Sequence, residues 1–203
     1  MVTNPPLTRI QTKNRELILS AALDVFSQHG FRGTTLDQIA EGAGLSKPNL
    51  LYYFPSKEAI HQTLLGRLLD TWLDPLRAMR PEGEPMAEIM GYVMRKLDMS
   101  RDFPRESRLF ANEMLRGAPH MQDTIESDLR LLVEEKAAIL RGWMAEGRIA
   151  TVDPVHLIFS IWALTQHYAD FDVQVRGVLG ADHDPYAEAK EFLTTIYKRL
   201  LAI

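Results

Sequence analysis

The chain has 203 residues, 46% of them hydrophobic and 25% charged, with 12 glycines and 11 prolines, a balance that excludes disordered and fibrous proteins. It has no cysteine, which removes disulfides, thiolate metal sites and thiol chemistry and suits a reducing compartment. Its net charge of −4 is uneven: residues 1–60 carry six Lys/Arg and five Asp/Glu, the remainder 17 basic and 22 acidic side chains, so the body cannot coat polyanions although a small N-terminal region can still meet one.

Residues 1–13, rich in Pro, Thr and Asn, are expected to form a flexible arm without a secretory leader. From Asn14, the apolar residues Leu17, Ile18, Ala21, Ala22, Val25 and Phe26 recur at helical spacing until Gly30 stops the pattern. Thr34 and Thr35 can cap a short second helix carrying Leu36, Ile39 and Ala40. Ala43-Gly44-Leu45 makes a tight turn, and Ser46 caps a third helix with Pro48 in its first turn. A fourth helix opens at Ser56 and holds Ile60, Leu64, Leu65, Leu68, Leu69 and Trp72, with Pro75 expected to kink or end it. Beyond a Pro81–Pro85 linker, helices are expected near 86–101, 105–116, 120–146, 154–178 and 185–202. No strand alternation, internal repeat or membrane-length apolar run appears. The expectation is therefore an all-α cytoplasmic protein of about nine helices. It divides into an arm (1–13), a small head (14–56) and a helical body (57–203).

The head carries the sharpest pattern. Two short helices joined by a Gly-containing turn form the skeleton of a DNA-reading helix-turn-helix. Ala40 is small where the helices cross, and Ile39, Leu45 and Leu50 can pin the second helix on the first. Lys47, Asn49, Tyr52 and Tyr53 supply a polar outer face; Asn pairs bidentately with adenine, and tyrosine hydroxyls reach phosphates. Lys57, with the first amides of the fourth helix, is expected to add a second phosphate clamp. An ordinary helical hairpin buried in a core is the competing reading, and it leaves that polar face unexplained.

The run from Thr35 to Ile60, TLDQIAEGAGLSKPNLLYYFPSKEAI, preceded by Ile18–Phe31, resembles the DNA-binding head of the TetR family of repressors. Pro48 departs from the polar or small residue common there. The resemblance implies a homodimer paired through the helices near 120–146 and 154–178. It also implies a double-stranded operator gripped by Thr34, Thr35, Ser46, Lys47, Asn49, Tyr52, Tyr53 and Lys57, hence a nucleoid-associated protein. The segments Trp72–Leu76, Ser100–Pro104, Ser107–Phe110, Gly117–Pro119 and Trp162–Phe171 resemble the bodies of members that control pyrimidine use. That implies uracil or thymine as effector, with Trp72, Leu109, Phe110, Met114, Trp162 and Gln166 around it and no other cofactor.

The residue chemistry agrees with such a ligand. Trp162 and Gln166, four apart, share a helix face; an indole stacks on a base for about 1–3 kcal/mol, and a carboxamide matches an imide edge. By periodicity alone both residues fit interface core better than a pocket, and it is the resemblance that turns them towards the pocket; Tyr168 and Asp170 fit either role. Trp143 and most methionines read as packing. The six histidines are scattered, none in an i, i+4 pair with a third carboxylate, so no metal site is expected. Without a serine elbow, phosphate loop or paired carboxylates, no enzyme is expected. A regulator with another heterocyclic or acyl effector, and a helical interaction protein without DNA binding, are the alternatives.

Overall fold

The computed structural model describes residues 8–203, and among these every regular element is a helix. The chain forms two compact units. The first runs through Leu68 and takes in Arg108–His120; the second comprises Leu69–Ser107 and Met121–Ile203.

The first unit is built on α1 (Arg9–Gly33), α2 (Leu36–Gly42), α3 (Lys47–Tyr53), the first part of α4 (Lys57–Arg77) and most of α6 (Pro104–Leu115). Helix α1 starts five residues before the expected Asn14. Thr8 accepts a hydrogen bond from the Gln11 amide while the Gln11 side chain accepts one from the Thr8 N–H, a reciprocal cap that satisfies two end donors. The expected arm is thus helical over its last residues, and residues 1–7 of it lie outside the described ones. Gly30 interrupts the helix at φ 65°, as its stop signal suggests. The core is Ile18, Ala22, Phe26, Ile39, Leu50, Phe54 and Ile60, all buried, each large side chain contributing about 1.5–3 kcal/mol.

In the second unit, α5 (Pro85–Asp102), α8 (Arg130–Ala145), α9 (Pro154–Asp170) and α11 (Tyr186–Leu200) enclose a core that includes Leu76, Ile89, Val93, Leu97, Leu140, Trp143, Ile158, Ile161, Leu193 and Tyr197. A three-residue turn, α7 (Gln122–Thr124), passes through a π turn (Ile125–Leu129) into α8. The helix expected over 154–178 breaks at Phe171 into α9 and α10 (Asp172–Leu179), because Phe171 leaves helical geometry at φ −113°, ψ 30°.

Pro75 neither ends α4 nor prevents two further residues from joining it. The end of α4 and the connection after it are held by α8. The buried Lys136 ammonium donates to the carbonyls of Arg77 and Met79 (3.0 and 3.2 Å), a cation placed where the helix leaves acceptors open. The Trp143 indole N–H donates to the Pro81 carbonyl at 3.0 Å, and the Arg148 guanidinium, just beyond α8, reaches the Gly83 carbonyl at 2.9 Å.

Candidate functional site: a helix-turn-helix and a buried polar stripe

The α2–α3 pair is set by local chemistry. Thr35 caps α2 by accepting from the Gln38 amide (3.2 Å), and Gln38 returns the bond to the Thr35 N–H (2.8 Å). Ser46 caps α3 through the Asn49 amide at 3.4 Å. Between them Gly44 adopts φ +67°, a left-handed conformation that disfavours other residues, and the Leu45 amide closes the turn on the Ala40 carbonyl. A Cβ at Gly42 would come within 3.2 Å of the Ala21 Cβ, so a bare backbone there lets α2 lie close on α1. Leu50, fully buried, pins α3 against both.

Lys47, Asn49 and Tyr52 are exposed, and Tyr53 is half-buried. Lys47 pairs with Asp37 at 2.9 Å; both are exposed, so the pair is worth under about 1 kcal/mol and yields readily to a phosphate. The tyrosine hydroxyls accept from α1: Tyr52 from the Gln11 amide (3.1 Å) and Tyr53 from the Asn14 amide (2.8 Å). The start of α1 therefore lies beside the outer face of α3. Exposed Arg9 and Lys13 flank Gln11 there, a basic addition from the stretch expected to be an arm.

Two expected contact residues are turned into the scaffold. Thr34 is 1% exposed, its hydroxyl donating to the Gly30 carbonyl at 2.8 Å. Lys57 donates to the carbonyls of Phe31 and Thr34 (2.8 and 2.7 Å) and lies 4.5 Å from the centre of the Phe31 ring, fastening the end of α1 to α4.

The second unit holds a polar stripe between α5 and α9. Residues 162, 166 and 170 follow one another at i, i+4 along α9, as 92 and 96 do along α5. The Trp162 indole N–H donates to the Tyr92 hydroxyl at 2.6 Å, and Trp162 packs partly against the core of this unit. A turn further on, Gln166 is half-buried. At the far end Asp170 accepts from the Ser107 hydroxyl at 2.5 Å and acts on the charge of Lys96. Lys96, 3% exposed, places its ammonium 3.9 Å from the centre of the buried Trp72 ring. Burial pushes this ammonium down to about 7, against the upward pull of Asp170.

Trp72, Trp162 and Gln166 thus belong to the second unit, whereas Leu109, Phe110 and Met114 lie on the part of α6 that belongs to the first. Of these three, Leu109 is buried and the other two are half-buried. Lys96, Tyr92 and Ser107 were not among the expected site residues. The stretch Arg95-Lys96-Leu97-Asp98 looks like a solvated helix surface, and only tertiary packing shows otherwise.

Known proteins match both units. The family described as bacterial regulatory proteins, tetR family, matches residues 18–63, and that described as the YcdC-like protein C-terminal region matches residues 65–203. The HTH-type transcriptional regulator RutR of Escherichia coli K12 is 55% identical over 174 residues, covering 86% of this chain and 82% of the relative. EthR of Mycobacterium tuberculosis H37Rv is 41% identical over 58 residues, covering 28% of this chain and 27% of that one. The crystal structure of the putative transcriptional regulator SCO4942 of Streptomyces coelicolor superposes with a TM-score of 0.71 at 25% identity, covering 93% and 98% of the two chains. No helix among the described residues is long and apolar enough to cross a membrane. The chain belongs to the TetR family and is a DNA-binding, helix-turn-helix transcriptional regulator rather than an enzyme.

Proposed function

We propose that this regulator is a homodimer that holds two copies of α3 about 34–36 Å apart on a palindromic operator and releases it when uracil or thymine binds the second unit. The observation that carries the DNA reading is the capped α2–α3 pair with Lys47, Asn49 and Tyr52 exposed on its outer face. Arg9 and Lys13 extend the phosphate contacts, with Thr35 and Ser46 at the ends of the two helices. Thr34 and Lys57 position these elements from within. For pairing we favour the helices over 120–146 and 154–178, where Leu131, Phe159, Phe171, Val173 and Val178 are exposed apolar residues in want of cover. A light-scattering mass of twice the 23.1 kDa chain checks this pairing.

In a gel-retardation titration the Lys47→Ala/Asn49→Ala/Tyr53→Ala variant is expected to lose affinity by on the order of 100-fold or more, at about 1–3 kcal/mol for a good base contact. Arg9→Ala/Lys13→Ala should instead flatten the salt dependence by about two phosphate equivalents and leave sequence preference intact. Normal retardation by the triple variant would overturn the assignment of α3.

The effector reading rests on the stripe and on the resemblance of the body to members that control pyrimidine use, and RutR is the relative that matches along most of this chain. A pyrimidine imide presents alternating C=O and N–H groups. The Lys96 ammonium can donate to the former, Asp170 can accept from the latter, Gln166 can do both, and Trp72 offers a ring face. An acyl chain would instead meet the buried Lys96 ammonium and the Asp170 carboxylate, which favours the heterocycle over the acyl alternative. The ligand acts only by binding one arrangement of the dimer better than the other. Calorimetry with uracil and thymine is expected to show binding that Gln166→Leu weakens by about tenfold, the worth of one or two hydrogen bonds. Absence of heat for either base at concentrations on the order of millimolar would remove the pyrimidine.

A further inference from the structure

We propose that His61, Glu113 and His120, within the first unit, form a binding site for one divalent transition-metal ion, with zinc the best fit. A ring nitrogen from each histidine and a carboxylate oxygen of Glu113 all lie within 4.8 Å of one another. Two imidazoles and a carboxylate are an N/O donor set that suits zinc and leaves one position for water.

Part of the required geometry already exists. Zinc bonds of about 2.0–2.1 Å in a tetrahedron hold donor atoms about 3.3 Å apart. The His120 Nδ1 stands 3.1 and 3.3 Å from the two Glu113 oxygens, so an ion replaces one shared proton there. The Glu113 Oε1 also accepts from the His120 backbone N–H at 2.7 Å, the kind of outer bond that orients a ligating carboxylate. The chain is bent to make this possible: Gly117 and Ala118 both take left-handed φ (84° and 52°), and the Ala118 amide closes on the Glu113 carbonyl. A non-glycine residue in that conformation is held there by its surroundings and is a recurrent feature of functional sites.

His61 supplies the independent observation. It is 2% exposed, and its Nδ1 is buried with no hydrogen-bond partner. A buried polar nitrogen left in this state is unfavourable unless something meets it. Its ring packs among Phe26, Phe31 and His120 at centroid distances of 4.9, 4.9 and 5.0 Å, a setting in which phenylalanine would pack equally well. Burial disfavours the charged form of this ring, and a neutral imidazole has one ring nitrogen with a lone pair to give. The neighbouring cations, Lys57 and Arg116, both lie over Phe31, and Lys57 is held there by two carbonyls. Glu58, near enough for its charge to couple with His120, offsets part of that positive field.

An ion at this point would staple the end of α6 and the turn after it to α4, beside Phe26 and Phe31 of α1. The test uses the full-length chain without a histidine tag, stripped with EDTA and titrated with zinc alone against a chromogenic chelator. We expect one zinc per chain and a rise in melting temperature on loading. His61→Phe preserves the aromatic packing and should melt no lower than wild type without metal, yet lose zinc affinity by at least about 100-fold. His120→Ala should lose it likewise. Failure of wild type to take up zinc overturns the site. So does uptake unchanged in both variants, which would place the ion on an exposed pair such as His156–Asp153 or His183–Glu188.

Discussion

Stability towards urea is expected to rise as the pH is raised from about 7 to about 9, and Lys96→Met is expected to abolish most of that rise. Lys96 has an ordinary ammonium in the unfolded chain, protonated up to about pH 10.4. In the fold, burial brings it down to about 7. Between those values the unfolded chain binds more protons than the folded one, so raising the pH favours folding. The slope for one such group is at most about 1.4 kcal/mol per pH unit. Two units should therefore bring about 2 kcal/mol. The Trp72 ring and Asp170 both favour the charged form and hold the gain below the limit. The window closes near pH 10. There the hydroxyls of buried Tyr92 and half-buried Tyr186, both raised by burial, stay protonated in the fold while unfolded tyrosines ionise, which works against folding. Parallel stability curves for wild type and Lys96→Met over this window would show that the ammonium is solvated.

Leu50→Ala is expected to lower the stability of the first unit by about 3–5 kcal/mol, the range for emptying a fully buried leucine site. Leu50 is the one fully buried residue of α3, and its amide and carbonyl close the helix onto Ser46 and Phe54. Operator affinity should fall along with stability, because the contacts on the outer face are positioned only through this inner anchor. Asn49→Ala should by contrast leave the unfolding midpoint nearly unchanged while weakening operator binding, since Asn49 is exposed. Chemical denaturation beside gel retardation separates the two. An unchanged midpoint in Leu50→Ala would mean that α3 is not seated as described.

The head was legible because its determinants are local. Thr35, Gly44 and Ser46 act on residues within four positions of themselves, and the caps and turn appear where those residue types require them. The start of α1 carries an equally local signal, Thr8 with Gln11 three residues on, and was obscured by the prolines before it. The break at Phe171 has no comparable marker, since neither Gly nor Pro stands there. The polar stripe was half visible: the i, i+4 spacing of Trp162 and Gln166 belongs to one helix and can be read from sequence. Lys96 and Ser107 join it only through packing between segments far apart in the chain, and a lysine beside an arginine gives no sign of burial. The histidine–glutamate cluster lies further still from any sequence rule, because its members are separated by 52 and 7 positions.

Residues 78–84, with two glutamates, an arginine, a glycine and a proline ahead of α5, have the composition of a slack tether. The Lys136, Trp143 and Arg148 donors that grasp the carbonyls of Met79, Pro81 and Gly83 make it a splint. A backbone fastened at alternate residues cannot unspool locally into a protease cleft, so the bond after Glu82, for all that residue's exposure, should be a poor place for a glutamate-specific protease to begin.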